Sequence, residues 1–499
     1  MKRATSTYLK QTAAIICLAV LTGVMPVNTP AVYAQSDDLV NFEFESPLTS
    51  NLSKFGDLVA IEGNYAVISS GVNGKLTRFY YFNGTSWDRI QDDVVHQDTP
   101  SSIAMDGGRL VIGFRSGGFQ SRGSASIYRL QNAETTNHQW VFEQEIISNQ
   151  PKSDGSFGYS VDILNNRIAV GEITGAGEND FFNPTGSVHV FELNGSTWNW
   201  RQKFYSPDQI AGTDLGWSLA FNEDGSELVA TSLVETNNVY KAYHLSRQSS
   251  GDWVHISTLN FNYTSPGNAD NNKLGIAFHK DLIAIGTPQL PLSGNLRVGA
   301  VQLYTRQGSG WSGPQVFRKA GSNNTGDSFG VQVELFDGIM AVSAPGQWQG
   351  STSGVGSVFI YEGAGTAWEE ITRIDSPAAQ SESFFGNSIS LDDSGRLLSG
   401  IPEYRVNGNR VGRAYIHFVL PPDPSGFQVS DGTQVTSLNL SWNRSVGQNG
   451  YRIYERGNNT PLEIIESSTA NSFSFSGLIP GEEKLFAVLD SIKIGRAHV

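Results

Sequence analysis

The chain has 499 residues, of which 39% are hydrophobic and 16% are charged, with 54 glycines and a formal net charge of −14. This composition is typical of turn-rich globular β structure and excludes a disordered chain or a coiled coil. The acidic balance argues against nucleic acid or an anionic membrane as a partner.

The N-terminal segment has the pattern of a secretory signal. Basic residues precede an apolar stretch from 13 to 27, and Ala31-Val32-Tyr33-Ala34 supplies small residues for cleavage. A membrane anchor is the competing interpretation, but Gly23 and Pro26 interrupt the stretch, and a span needs about 20 apolar residues. We expect 1–34 to be a signal peptide. The mature chain would lack cysteine and an integral membrane segment, would carry a net charge of −17 after losing three basic residues, and would be secreted or lie on the cell surface.

A repeat follows the N-terminal segment. Its anchor is a Phe-Gly-like step that recurs at intervals of 44 to 59 residues. Repeats of this length are typical of propeller blades. The seven anchors are Phe55-Gly56, Thr99-Pro100 (degenerate), Phe157-Gly158, Leu215-Gly216, Leu274-Gly275, Phe329-Gly330 and Phe385-Gly386.

The third copy shows the blade pattern most clearly. Alternation predicts strands over 157–163, 167–171, 186–191 and 198–204, with Asn-rich or Asn-Gly turns between the paired strands. Four antiparallel strands make one blade. A tryptophan recurs in the fourth strand and is predicted to pack between blades rather than to contact a ligand. These tryptophans are Trp87, Trp140, Trp198, Trp253, Trp311 and Trp368.

The seventh copy lacks a fourth strand of its own, because it stops near Leu420 at a proline-rich segment. The segment Asn41–Ser46 precedes the first anchor and reads as an unpaired fourth strand. We therefore predict an all-β, seven-bladed β-propeller over 35–420, closed by its N-terminal strand. Closure would remove the exposed edges that otherwise promote aggregation.

The block Phe-Gly-x-Ser-Val, apolar-Ala-Val-x-Gly, Gly-Ser-Val-x-Val-Phe and Trp resembles the bacterial repeats of the FG-GAP family over 41–420. This resemblance implies a propeller related to the head of integrin alpha subunits, a class associated with extracellular binding or adhesion. Integrin-type repeats often carry a calcium loop, and a cation of this kind needs several converging oxygens. Ala220 and Leu228 in copy four, and Ser390 and Leu398 in copy seven, stand where outer carboxylates belong. We therefore expect ordinary hairpin turns, no metal site and no cofactor.

The composition changes after a linker at 421–424. Leu438–Trp442, Tyr451–Tyr454 and Gly477–Gly481 resemble strands B and C and the E–F corner of fibronectin type III domains, although Lys484 stands where the corner tyrosine usually lies. We expect an incomplete fibronectin type III-like domain over 425–493. The hexapeptide at 494–499 looks like a translated sequencing-adapter end, which would mean that the natural chain continues differently.

No catalytic motif stands out. The sequence has neither His-Glu-x-x-His nor Gly-x-Ser-x-Gly, and Gly195-Ser196-Thr197-Trp198 matches only half of a sialidase turn. We predict no catalytic residues and a non-enzymatic, monomeric binding or adhesion protein whose partner is an extracellular protein or glycan. The alternative is a secreted carbohydrate-active enzyme, a hydrolase or lyase, which carboxylates clustered in the central channel would favour. A structural matrix protein is a third possibility.

Loops between the second and third strands of each blade are the predicted ligand-binding surface, because they vary in length while the strands keep their register. Aromatic and arginine side chains on these loops suit protein or glycan contacts, although each aromatic could instead fold back onto its own loop. The candidates are Phe114, Arg115, Phe119, Arg122, Phe181, Phe182, Arg297, Trp348, Tyr404, Arg405 and Arg410.

Overall fold

The computed structural model consists of β-strands joined by turns and loops. It describes residues 17–20, 42–47, 53–71, 73–83, 86–118, 121–133, 137–175, 185–208, 212–236, 239–262, 274–292, 297–321, 326–393, 395–419, 428–431, 437–441, 450–455, 463–465, 472–476 and 483–491. These ranges hold 38 strands and no α-helix. None of them forms a helix long and apolar enough to span a bilayer. The described residues form two compact units, the first within 42–392 and 396–416 and the second made of the remaining described residues.

The first unit is a seven-bladed β-propeller, as the sequence predicts, and each blade is a four-stranded antiparallel sheet. The first strands are Phe55–Glu62, Ser102–Asp106, Phe157–Leu164, Leu219–Phe221, Ile276–His279, Val333–Phe336 and Ile389–Leu391. The second strands are Tyr65–Ser70, Arg109–Phe114, Arg167–Glu172, Glu227–Thr236, Leu282–Thr287, Ile339–Ala344 and Arg396–Ile401. The third strands are Leu76–Phe82, Ser124–Gln131, Ser187–Asn194, Val239–Arg247, Ala300–Gln307, Ser357–Ala364 and Arg413–Phe418. The fourth strands are Trp87–Arg89, Gln139–Ile146, Thr197–Tyr205, Trp253–Asn262, Gly310–Phe317, Ala367–Asp375 and, for blade 7, Phe42–Glu45.

Two short elements extend this scheme. Val94–Val95 adds to the third strand of blade 1 beside its fourth strand, and Arg405–Val406 pairs with Asn409–Arg410 in a small hairpin of blade 7. The antiparallel order places the turns between first and second strands on one face of the propeller. The loops between second and third strands lie on the opposite face, which we call the loop face.

The N-terminal strand closes the ring, as predicted. It pairs antiparallel with the third strand of blade 7, with Phe42 opposite Ile416 and Glu45 opposite Arg413. Phe44 is 4% exposed and packs against Tyr80 of blade 1, with ring centroids 4.5 Å apart. The strand Phe42–Glu45 therefore joins the last blade to the first.

The Phe-Gly step marks a close approach between neighbouring blades. Phe157 is fully buried, and Gly158 has a φ of +86°, a region that favours glycine. A Cβ atom on Gly158 would lie 2.3 Å from the carbonyl oxygen of Ser124 in blade 2. The serine of the motif also connects blades, because Ser160 Oγ donates to the carbonyl of Gly216 in blade 4 over 2.6 Å. The glycine and the serine of the motif therefore both contribute to packing between neighbouring blades.

The recurring tryptophan packs in the core in three blades, as predicted. Trp140, Trp198 and Trp253 are at most 4% exposed. The side-chain amide of Gln144 in blade 2 pairs with both backbone groups of Trp198 in blade 3, over 2.8 and 2.9 Å. Gln91 makes the same pair of bonds to Trp140. The other tryptophans of the series, Trp87, Trp311 and Trp368, are half-buried.

The second unit contains two sheets. One has the order Cys17–Val20, Glu483–Ser491, Gly450–Glu455 and Glu463–Ile465, and the other has the order Gln428–Asp431, Ser437–Ser441 and Ser472–Ser476. Cys17–Val20 belongs to the predicted signal peptide, and here it pairs with the last strand, with Cys17 opposite Phe486. The linker 421–424 and the hexapeptide 494–499 lie outside the described residues, as does the rest of the predicted signal peptide.

Candidate functional site: the axial cavity of the propeller

A cavity of about 1180 Å³ lies on the axis of the propeller. The first strand of every blade contributes to its wall, from Leu58–Ile61 in blade 1 to Ile389–Leu391 in blade 7. This volume exceeds what most small-molecule sites need. The cavity is therefore a large concave surface to which all seven blades contribute residues.

Charged residues surround the cavity at the loop face. Lys54 Nζ lies 2.8 Å from Glu403 Oε1, and the guanidinium of Arg410 lies 3.0 Å from Glu403 Oε2. Arg115 is exposed and lies over the ring of Tyr159, 5.7 Å from its centroid. Arg115, Tyr159, Lys54 and Glu403 all line the cavity. The entrance can therefore present both signs of charge and an aromatic ring to a ligand.

At one position of the first strand, two blades carry an acidic residue and the other five carry a small residue. Asp162 in blade 3 pairs with Ala169, and Glu334 in blade 6 pairs with Ala341 at the corresponding position of the sheet. The other five blades place small side chains there. These are Ala60, Ala104, Ala220, Ala277 and Ser390. Two blades separate blade 3 from blade 6 on one side of the ring and three on the other, so the two acidic residues belong to blades on nearly opposite sides of the ring.

The environment makes both carboxyl groups hard to ionise. Burial raises the pKa of Asp162 to about 7, although backbone N–H groups of Phe221 and Ile163 oppose this, and the charge of Asp106 adds to it. Burial also raises the pKa of Glu334 to about 8, and the negative charge of Asp162 contributes. At neutral pH this pair therefore holds protons that solvent-exposed carboxylates would have released.

Several predicted site residues lie at the loop face. Arg115 and Arg410 contribute to the entrance described above. The guanidinium of Arg413 lies over the ring of Tyr404, 4.2 Å from the ring centroid. Arg405 donates to the carbonyl of Ser381 over 3.1 Å. Trp348 is 43% exposed in blade 6, two residues beyond Gly346, which lines the cavity. Of these predicted residues, Arg115 alone lines the cavity, and the others belong to blades 6 and 7.

Other predicted residues do not take part in this way. The expectation that Phe114 is a surface contact is wrong, because it ends the second strand of blade 2, is 5% exposed, and packs against His96 at 5.0 Å. Arg122 and Arg297 are half-buried, and Arg297 uses its backbone carbonyl to accept a hydrogen bond from Gly326. Phe119, Phe181 and Phe182 lie outside the described residues.

The two candidate calcium loops use their side-chain oxygens on their own turns. Asn222 Oδ1 accepts from the backbone N–H of Glu227, and Asp224 Oδ1 accepts from that of Ser226. Asp392 accepts hydrogen bonds from the backbone and the guanidinium of Arg396. Within the described ranges, no group of three or more His, Cys, Asp or Glu side chains could hold a metal ion.

Sequence reasoning missed the cavity acids. The signal for them is the position four residues after the motif glycine, which is Asp162 or Glu334 in two copies and alanine or serine in three others. Blade 5 departs from this spacing, because its equivalent residue, Ala277, follows the motif glycine Gly275 by two residues instead of four. A scan against protein-family models finds no match for this chain, and a search of the curated proteins finds none either.

Proposed function

We propose that this is an exported, non-catalytic binding or adhesion protein that contacts an extracellular protein or glycan with the loop face of its propeller. The observation that carries this proposal is the entrance to the axial cavity, where Arg115, Tyr159, Lys54 and Glu403 line part of the rim and Arg410 pairs with Glu403. Arginine and aromatic side chains at a cavity rim suit recognition of polar partners. The repeat's resemblance to the FG-GAP family supports an extracellular role.

The remaining parts of this proposal concern presentation. The second unit would serve as a fibronectin-like spacer that holds the propeller at the cell surface, since its strands form two sheets of four and three strands. The propeller would act as a monomer and without a resident metal.

An array of glycans and extracellular proteins tests the proposal with the full chain. The test variant carries Arg115→Ala and Trp348→Ala on the loop face. The matched control carries Arg129→Ala on the third strand of blade 2 and Trp200→Ala on the outer strand of blade 3, where Trp200 is also 43% exposed. We expect selective binding that the loop-face variant loses and the control keeps. Equal loss in both variants, or binding to no partner, would reject the loop face as the contact surface.

A secreted carbohydrate-active enzyme is the second candidate, and the carboxylate pair in the cavity favours it. Glycoside hydrolysis uses one carboxyl as a protonated acid and another as base or nucleophile. Raised pKa values such as those of Asp162 and Glu334 would keep an acid protonated near neutral pH. Release of reducing sugar from a polysaccharide panel, abolished by Glu334→Gln and by Asp162→Asn, would establish this function.

A further inference from the structure

The junction between blades 4 and 5 differs from the three junctions before it. In each of those, a glutamine side chain bonds to both backbone groups of the next blade's tryptophan, over 2.6 to 3.2 Å. These glutamines are Gln91, Gln144 and Gln202, each four residues after the tryptophan of its own blade. Ser257 stands at this position in blade 4, and a hydroxyl group cannot make the same pair of bonds to Trp311 of blade 5.

A histidine makes the contact to Trp311 instead. His244 lies opposite Ser257 in the sheet and is 1% exposed. Its Nδ1 accepts a hydrogen bond from Trp311 Nε1 over 3.2 Å across the junction. The corresponding residues of blades 2, 3, 5 and 6 are aliphatic, namely Ile127, Val190, Leu303 and Ile360. Blade 4 therefore places a titratable side chain where these four blades have an apolar one.

The bond to Trp311 requires a neutral imidazole. An indole N–H can only donate, so Nδ1 must offer its lone pair and the ring proton of His244 must lie on Nε2. Protonation puts a second N–H on Nδ1, which then faces the N–H of Trp311, and the bond between the blades is lost. Ser257 Oγ lies 3.4 Å from Nδ1 and can accept the new proton, but this bond lies within blade 4 and does not replace the contact to blade 5.

The charges around His244 oppose one another. Glu227 Oε1 lies 3.4 Å from Nε2 and favours a cation, but Glu227 is already paired with Arg306 of blade 5. The guanidinium of Arg306 also lies over the ring of Trp311, 4.5 Å from its centroid. Burial holds the pKa of His244 below its ordinary value of 6.5, and the positive charges of Arg306 and His255 add to this effect against Glu227.

We propose that the junction between blades 4 and 5 is acid-sensitive and opens locally when His244 takes up a proton and gives up its bond to Trp311. In the open junction His244 meets solvent and binds a proton more readily than in the closed one. The closed junction is therefore fully stable above about pH 6.5 and loses stability as the pH falls below this value. This property does not depend on the loop-face binding proposed above.

Hydrogen exchange of the full chain at pH 7.5, 6.5 and 5.5, corrected for the intrinsic exchange rate, tests the proposal. We expect opening of Trp253–Asn262 and Gly310–Phe317 to increase by up to about tenfold per pH unit below 6.5. Gln139–Ile146 in blade 2 is the internal control and should change less, because the Gln144 amide that holds it to blade 3 does not titrate. An equal change in all three strands, or no change in any, would overturn the proposal.

The internal control is needed because burial also lowers the pKa values of histidines elsewhere, namely His96, His189 and His417. Two variants separate His244 from these. His244→Gln keeps an acceptor for Trp311 without a titratable group, so acid should no longer open its junction selectively. His255→Gln changes an exposed histidine of the same blade and should still open in acid. A selective acid response that persists in His244→Gln would reject His244 as the cause.

A direct titration keeps the test independent of whether these variants fold. NMR of the unaltered protein with labelled histidine should give His244 a midpoint below 6.5, with the neutral ring protonated at Nε2. Trp311→Phe removes the opposing N–H and should raise this midpoint. A midpoint at or above 6.5 in the unaltered protein, or a neutral ring protonated at Nδ1, would contradict the proposed mechanism.

Discussion

At the residue scale, the glycines of the repeat mark where one backbone lies directly on another. A Cβ atom on Gly113 in blade 2 would lie 2.2 Å from the carbonyl oxygen of Gly158 in blade 3, and one on Gly158 would lie 2.3 Å from Ser124 O. Side chains cannot be accommodated at such distances without moving a strand. The Phe-Gly step therefore reflects blade contact rather than the needs of a turn.

Gly158→Ala tests this interpretation. The change forces an alanine into a φ of +86° and against backbone atoms of blade 2, so we expect a loss of unfolding free energy of more than about 3 kcal/mol. Gly195→Ala is the matched control, since Gly195 also has a positive φ but has nothing within 4 Å of the added Cβ, and it should cost only about 1–2 kcal/mol. Urea denaturation measures both, and similar losses would contradict the packing argument.

The raised pKa of Glu334 leads to a prediction about how stability depends on pH. Burial raises its folded-state pKa to about 8, above the ordinary value of 4.5, so the folded state holds this proton more tightly than the unfolded state. Its contribution to stability is complete below about pH 4.5 and is lost as the pH rises through 8. Glu334→Gln removes this loss. The variant should be the more stable protein at pH 9, and its stability should fall less steeply between pH 5 and 8, by up to about 1.4 kcal/mol per pH unit.

Denaturation midpoints across this pH range measure the effect. Glu145→Gln, which changes an exposed acid, serves as the control and should follow the unaltered protein. Parallel pH profiles for Glu334→Gln and the unaltered protein would mean that Glu334 ionises normally in the cavity.

At the scale of the strand, side chains of one blade satisfy backbone groups of the next. Gln144 accepts from the N–H of Trp198 and donates to its carbonyl, so the fourth strand of blade 2 is bonded to that of blade 3. Gln144→Ala leaves two backbone groups without these partners and should cost about 1–3 kcal/mol. Gln139→Ala on the same strand alters an exposed glutamine and should cost less than about 0.5 kcal/mol. A small loss at Gln144 would show that water replaces the amide.

Blade 3 also contains a charge network that the repeat does not predict. Glu172 Oε2 accepts from His189 Nε2 over 2.8 Å and from Lys203 Nζ over 3.2 Å, and Glu172 and His189 are fully buried. Lys203→Met removes the ammonium group that compensates the negative charge of the buried Glu172. The free energy of unfolding should therefore fall by about 3–5 kcal/mol. The double variant Glu172→Gln with Lys203→Met should recover part of this loss. Thermal unfolding of both variants checks the coupling, and a double variant no more stable than Lys203→Met would contradict it.

At the scale of the whole molecule, the ring was predictable because seven copies repeat the same contacts. Even the degenerate Thr99-Pro100 copy forms a full blade, since its later strands keep the pattern. The site was less predictable. Sequence does not show where a second strand ends, so Phe114 is expected in a loop, whereas it ends the strand and lies in the core. Asp162 and Glu334 are 172 positions apart in the chain, and only closure of the ring brings their blades to opposite sides of one cavity.

Ring closure itself depends on one short strand. Phe44 is the buried residue of Phe42–Glu45 and contacts Tyr80 and Trp87 of blade 1, with ring centroids 4.5 and 6.2 Å apart. Phe44→Ala removes this aromatic contact between the last and first blades and should cost about 3–5 kcal/mol. Phe142→Ala, at a position that is 59% exposed on blade 2, should cost less than about 1 kcal/mol.

Hydrogen exchange then distinguishes closure from ordinary core packing. If the N-terminal strand holds the ring together, Phe44→Ala should accelerate amide exchange in Arg413–Phe418 and in the first strand of blade 1, while blades 3 to 5 keep their protection. A uniform increase in amide exchange across all blades would mean instead that the propeller opens as one cooperative unit. The strand would then contribute to overall stability without specifically holding the last blade to the first.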